Sequence, residues 1–259
     1  MKRIPITIAC TMVILVTGCI QTEPVRHQEH LLQATAWFQN SAEMEALCYQ
    51  SFHWASREMA LKIAEGSEKP LAVVLDIDET VLDNSPQTAQ QVIEGVPFKK
   101  EMWDEWCSLA RAEPLPGALE FTREASDRGV EVFYISNRRI HLLDVTLKNL
   151  REAGFPFADS SHVLLRTDSS VKDARREKVR ETHEIALLIG DNLGDFSGIF
   201  DDRNEGRATQ QVLENRERFG TEFIILPNPM YGGWEKPFRG ETPEETVVIK
   251  EEALNPYRR

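Results

Sequence analysis

This chain has only four cysteines in 259 residues, and no two of them stand in a spacing that would hold a metal ion. Cys10 and Cys19 fall near the start. Cys48 and Cys107 remain, open to a disulfide or to burial as free thiols in the helices expected around them. Positive charge is in deficit, with 30 Lys and Arg against 42 Asp and Glu and a formal net charge of −12. That balance argues against non-specific nucleic-acid binding and makes any local basic cluster stand out. No apolar run reaches the roughly 20 residues that a membrane-spanning helix needs. Internal repeats and low-complexity tracts are absent. His53, His141 and His183 share no ligand spacing, and Asp201-Asp202-Arg203-Asn204-Glu205-Gly206 lacks the register of a calcium loop, so it reads as an exposed loop.

What is present begins with a targeting segment. Lys2 and Arg3 precede an apolar stretch from Ile4 to Val16, which ends in Val16-Thr17-Gly18-Cys19. This order is that of a secretory signal peptide, and the cysteine after Gly18 resembles a bacterial lipobox. The resemblance implies lipidation of Cys19 as the mature N-terminus. With Ile20 rather than Asp next, it also implies a lipid-anchored place in the outer membrane of a Gram-negative bacterium. Residues 1–18 are then signal peptide, 19–28 a polar tether containing Pro24, and 29–259 the working domain.

Residues 29–65 read as helical with a break near Asn40-Ser41, where Asn40 and Glu43 have the form of a cap. Beyond Gly66, strands are expected at 71–77, 130–136, 162–166, 185–190 and 222–227. Helices are expected at 117–128, 140–153, 170–182 and 207–218. This alternation predicts an α/β fold, a doubly wound parallel sheet flanked by helices. Residues 79–116, with Trp103 and Trp106, interrupt it just after the first strand. An insertion there overhangs the carboxyl end of the sheet. A small, mainly helical cap is therefore expected from about 29–66, 79–116 and the tail from Asn228, over a core of about 67–78 and 117–227.

Four groups of reactive residues fall at the ends of expected strands or just beyond. Asp76-Ile77-Asp78-Glu79-Thr80 follows the run Leu71-Ala72-Val73-Val74-Leu75, and Ser136-Asn137-Arg138 follows Val132-Phe133-Tyr134-Ile135. Lys172 lies in the helix after 162–166. Gly190-Asp191-Asn192-Leu193-Gly194-Asp195-Phe196 follows Ile185-Ala186-Leu187-Leu188-Ile189. Ligands of open α/β sheets bind at the carboxyl ends of the strands. One aspartate there can attack as a nucleophile and its neighbour can move protons. Each group alone has a plain reading, an acidic helix start for Asp78-Glu79-Thr80 and an ordinary turn for Gly190-Asp191-Asn192. Their ordered recurrence points to chemistry.

This set resembles the haloacid-dehalogenase (HAD) phosphohydrolase pattern. The stretch from Val74 to Pro86, the segment Gly190 to Phe196 and the tail Asn228-Pro229-Met230-Tyr231-Gly232-Gly233-Trp234-Glu235 are similar to the class C, DDDD-type bacterial acid phosphatases. With the lipobox, the chain is most like their outer-membrane lipoprotein e group of phosphomonoesterases and 5′-nucleotidases. The resemblance implies a HAD core and one Mg²⁺ per chain, held by Asp76, Asp191 and the backbone carbonyl of Asp78, with Asp195 orienting the site from outside. It implies Asp76 as nucleophile and Asp78 as the group that protonates the leaving oxygen and then activates water. Lys172, Ser136 and the amide of Asn137 would hold the phosphoryl oxygens, and Trp103 and Tyr231 would flank the leaving group. The Lys-x-x-Arg spacing pairs Lys172 with Arg175. Expected substrates are nucleotides, nicotinamide mononucleotide and aryl phosphates; a homodimer is left open.

The chain departs from the family at Gln87, where an aromatic residue is common, which bears on substrate preference and not on the phosphate chemistry. Two other functions compete, a surface lipoprotein that binds a ligand without turnover and a HAD phosphotransferase. A binding module gains little from a nucleophile facing a proton donor.

Overall fold

The run Leu71–Leu75 has no polar side chain to turn toward water, so as a strand it must be covered on both faces. The computed structural model describes residues 29–257 and places this run as β1 (Leu71–Leu75), the centre of a five-stranded sheet. Residues 1–28, read above as signal peptide and tether and including Cys19, lie outside the described residues. The other strands are β2 (Leu82–Asp83), β3 (Glu113–Pro114), β4 (Glu131–Arg139), β5 (Val163–Arg166), β6 (Glu184–Gly190) and β7 (Phe223–Ile225). The sheet order is β5-β4-β1-β6-β7 with every pairing parallel, while β2 and β3 form a separate antiparallel pair. The chain winds outward from β1 through β4 to β5, then crosses back to β6 and β7. The reversal beside β1 is where ligands of such sheets bind.

The helices are α1 (Glu29–Asn40), α2 (Ala42–Glu65), α3 (Ser85–Glu94), α4 (Lys100–Ser108), α5 (Ala118–Asp127), α6 (Leu143–Ala153), α7 (Asp173–Thr182), α8 (Arg207–Glu214) and α9 (Pro243–Glu252). Strand residues alternate between two cores. Val73, Leu75, Val132, Tyr134, Leu187 and Ile189 pack with Phe52 and Met59 of α2 and Phe121 of α5. Ala72, Val74, Phe133, Ile135 and Leu188 pack with Val179 of α7 and with Phe196, Phe200 and Phe223. Both faces are therefore buried, as the polar-free strands require.

Several local features differ from the sequence reading. The cap of α2 is Ser41, whose Oγ accepts from the Met44 amide at 3.1 Å, and not Asn40. The segment 29–66 divides between two roles. α2 lies on the sheet, and α1 packs on α3, which with α4 overhangs the strand ends. The tail beyond Asn228 is not all loop: Thr242 caps α9 by accepting from the Glu245 amide at 3.1 Å. Cys48 and Cys107 are both buried free thiols. Among the described residues, no helix is long and apolar enough to cross a membrane.

Candidate active site

Hydrogen bonding carries β1 straight into the site. The Asp76 amide donates to the Ile189 carbonyl at 2.9 Å, so the strand pairing holds one residue past β1 and fixes Asp76 beside the end of β6. The chain then turns tightly. The amides of Val81 and Leu82 both donate to the Ile77 carbonyl, and Glu79 adopts a left-handed φ of 56°. That conformation is costly for a residue with a Cβ. Glu79 is held there by complete burial and by accepting from the Asn84 amide at 2.8 Å. Burial, then the charges of Asp78 and Asp191, pushes its carboxyl well above the usual range.

Asp78 is held by three side chains. Asn84 Nδ2 and Arg138 Nε donate to its Oδ1 at 2.9 and 2.8 Å, and Ser136 Oγ donates to its Oδ2 at 3.1 Å. Arg138 is itself only 2% exposed, lies 5.7 Å from the Trp103 ring centre, and also donates to Asn84 Oδ1 at 3.1 Å. Trp106 Nε1 donates to the same oxygen at 2.8 Å. Asp78 is thus oriented by a network spanning the cap and β4. Ser136, expected to hold a phosphoryl oxygen, has its hydroxyl within hydrogen-bond reach of Asp78 in this arrangement.

Lys172 sits one residue before α7 rather than inside it, as the capping residue of that helix. There its side chain turns back beneath the strand ends, with Nζ 2.6 Å from Asp76 Oδ1 and 2.7 Å from Asp195 Oδ1. These are close ion pairs that tie the ammonium to both carboxylates. Arg175, one turn on, donates to the Ser136 carbonyl at 2.6 Å and to Asn137 Oδ1 at 2.8 Å, which pins the loop that carries the Asn137 amide.

The β6 end supplies two more carboxylates. Asp191 Oδ2 accepts from Asn228 Nδ2 at 2.8 Å and its Oδ1 from Thr80 Oγ1 at 3.4 Å. Asp195 Oδ2 accepts from the Asn192 amide at 2.9 Å, closing a tight turn over Gly190. A Cβ at Gly190 would stand 2.3 Å from Asp195 Oδ2, so the close approach admits only glycine. One carboxylate oxygen from each of Asp76, Asp191 and Asp195 lies within 4.8 Å of the others.

Three carboxylates, one buried and two partly buried, around one ammonium leave the site short of positive charge, and the titration shifts follow. Burial pushes Asp76 up to about 7, against the pull of Lys172 and with a further push from Asp195 and Asp78. Burial, then Asp195 and Asp76, holds Asp191 well above the usual carboxylate range. Burial acts to lower Lys172, but Asp195 and Asp76 outweigh it and raise its ammonium above the ordinary value. A divalent cation would supply the missing charge. The donors are all oxygen, as hard cations prefer. Asp195 is 2.7 Å from the Lys172 ammonium and accepts from the Asn192 amide, whereas the partners of Asp191 are the neutral Asn228 and Thr80 side chains, which leaves Asp191 the greater need of a cation.

These groups open into a cleft of about 720 Å³, a size suited to a small organic ligand. Asp76, Asp78, Asn137, Arg138, Lys172, Asp191 and Asp195 form its floor, while Trp103, Phe98 and Gln87 from the cap and Tyr231 from the tail line its walls. All the side chains singled out from the sequence, from Asp76 to Tyr231, therefore border or support one cleft. Asn84, Arg138 and Asn228 went unassigned there. Each stands in a segment that drew attention, but partners distant in sequence reveal its role.

The sequence matches the family model described as HAD superfamily, subfamily IIIB (Acid phosphatase), over residues 15–234. Among solved structures, the class C acid phosphatase from Bacillus anthracis is similar, with a TM-score of 0.86 and 40% identity, covering 90% of this chain and 100% of that one. A structure of the class C acid phosphatase from Bacillus anthracis with tungstate bound matches with a TM-score of 0.84 and 38% identity. Among curated proteins, the stem 31 kDa glycoprotein of Glycine max is 29% identical over 164 residues, 61% of this chain and 58% of that protein. The class B acid phosphatase of Xenorhabdus bovienii (strain SS-2004) is 23% identical over 193 residues, 68% of this chain and 80% of that protein. The chain thus spans less than two thirds of the length of the stem glycoprotein.

Proposed function

This chain belongs to the HAD superfamily, subfamily IIIB, the acid phosphatases, and from that premise we propose that it hydrolyses phosphomonoesters with Asp76 as the nucleophile. One observation carries the assignment. Asp76 stands at the end of the central strand, 2.6 Å from Lys172 and within 4.8 Å of Asp191, with Asp78 lining the same cleft. Tungstate, an oxyanion of phosphate shape, is bound in a structural relative that is 38% identical.

HAD phosphatases typically use a divalent metal, and Mg²⁺ is the ion we assign here. Asp76, Asp191 and the Asp78 carbonyl would hold it, and bound there it neutralises charge between the carboxylate and the ester dianion. The remaining work falls to the chain. Lys172 and the Asn137 amide bind phosphoryl oxygens, and Arg175 keeps that amide in place. Asp76 attacks phosphorus, and the bond to the leaving oxygen breaks as a proton passes to that oxygen through Asp78. Asp78 then takes a proton from the water that attacks the aspartyl phosphate, which releases phosphate and restores Asp76. Ser136, Asn84 and Arg138 keep Asp78 aimed through both steps.

The cleft walls carry flat faces at Trp103, Phe98 and Tyr231, which suit aromatic leaving groups. Nucleoside 5′-phosphates, nicotinamide mononucleotide and aryl phosphates are the substrates we infer. Phosphate release from 5′-AMP and p-nitrophenyl phosphate tests this. Chelation by EDTA is expected to abolish turnover and Mg²⁺ to restore it; turnover indifferent to EDTA would contradict the metal assignment. Metal affinity should also weaken as pH falls through about 7, because a proton on Asp76 competes with the cation. Calorimetry in two buffers of different ionisation enthalpy reads the proton release.

The leader Lys2 to Cys19 supports secretion and lipid anchoring, and we assign the protein to the outer membrane on that ground. Cys19→Ser is expected to move the protein from the membrane fraction to the soluble one. Retention in the membrane after this change would refute the anchor.

A further inference from the structure

The inner face of α3 is unlike that of the other cap elements. Its buried residues are Ser85, Gln87, Thr88 and Gln91, with no large apolar side chain among them. A helix that packs for stability alone turns an apolar stripe inward. Here the inward stripe is polar, and Gln87, Thr88 and Gln91 line the same cleft as Trp103 and Phe98.

Gln87 and Gln91 are 6% and 4% exposed, and Gln91 Nε2 donates to Gln87 Oε1 at 2.7 Å. In this arrangement the Gln87 amide turns its oxygen toward Gln91. Its oxygen is engaged, and its Nε2 is buried with no hydrogen-bond partner. An unpaired buried donor costs about 1–3 kcal/mol, and native proteins rarely leave one without a use. The terminal amide torsion is soft, so a small turn presents the N–H to the cleft.

We propose that Gln87 is a specificity-determining residue whose Nε2 donates a hydrogen bond to an acceptor on the leaving group of the substrate. The class of substrate it selects is a phosphomonoester whose leaving group carries a flat heterocycle with a carbonyl or ring-nitrogen acceptor, such as a nucleobase. The ring faces Trp103 and Phe98 while its polar edge meets Gln87. A hydrocarbon ring fills the same space and leaves the N–H unpaired. This inference rests on the phosphatase reading of the site and adds to it the residue that separates a heterocyclic leaving group from a hydrocarbon one.

The test is a ratio measured within each protein, kcat/KM for 5′-UMP over kcat/KM for phenyl phosphate. Gln87→Leu, which removes the donor, is expected to lower the ratio about tenfold, the worth of one hydrogen bond. Gln87→Glu keeps the acceptor for Gln91 but has no donor, and is expected to lower it as much. Gln87→Met repeats the test should the Leu variant fail to melt cooperatively. An unaltered ratio in the Leu and Met variants would overturn the inference while phosphate release from phenyl phosphate upheld the phosphatase reading. A ratio kept by Gln87→Glu but lost by Gln87→Leu would overturn the donor role. Release from neither ester by the wild-type protein would overturn the phosphatase reading and this inference with it.

Discussion

Asp76→Asn is expected to lower kcat for phosphomonoesters by at least ~10⁴-fold while leaving the fold intact, since removing a covalent nucleophile removes the reaction path itself. The amide has the carboxylate's shape, so the Asp76–Ile189 backbone bond and the packing around Ile77 persist. Lys172 keeps Asp195 as its counter-ion at 2.7 Å. The thermal midpoint is therefore expected to change little. Steady-state kinetics with a calorimetric melt checks both halves. A variant retaining a tenth of wild-type turnover would mean that Asp76 is not the nucleophile.

Lys172→Met is expected to damage both stability and rate. Lys172 is 3% exposed and is the ammonium between Asp76 and Asp195. Breaking a buried ion pair by removing one partner costs about 3–5 kcal/mol. In a chain of this size that lowers the melting midpoint by on the order of 10 °C. The pH dependence has a definite sign. Burial already raises Asp76 to about 7, and loss of the lysine raises it further. A carboxyl raised in the folded state binds more protons than in the unfolded chain, so stability falls as pH rises from about 4 through the folded value. The deficit of Lys172→Met relative to wild type should therefore be larger at pH 8 than at pH 5. Turnover should fall by roughly 10²–10³-fold, the usual cost of one preorganised group on a developing charge. A deficit that grows on acidification would contradict the arrangement.

The sheet was legible because its strands leave no alternative. Leu71 to Leu75 and Ile185 to Ile189 carry no polar side chain, so only a strand buried on both faces accommodates them. The aspartates at their ends were legible for the same reason: a charged residue directly after such a run must lie at the sheet's edge. What escaped the sequence depends on partners far along the chain. The contact between the Ser136 hydroxyl and Asp78, at 3.1 Å, joins residues 58 apart and leaves no local pattern. Arg138 and Asn84 lie 54 residues apart and meet only because the cap folds over β4. The strands β2 and β3 are two residues each, too short to leave an alternating pattern. Helix α9 was hidden by the Pro- and Gly-rich segment before it, although Thr242 and Glu245 form a recognisable start.

The most direct test of the account is to stop turnover with acid in the pre-steady state and map the phosphoryl group by mass spectrometry of peptides. The account predicts one acid-stable, hydroxylamine-sensitive phosphoryl group, on Asp76, absent from Asp76→Asn. A phosphoryl group on any other residue, or none during a turnover that yields phosphate, would contradict the central role given to Asp76.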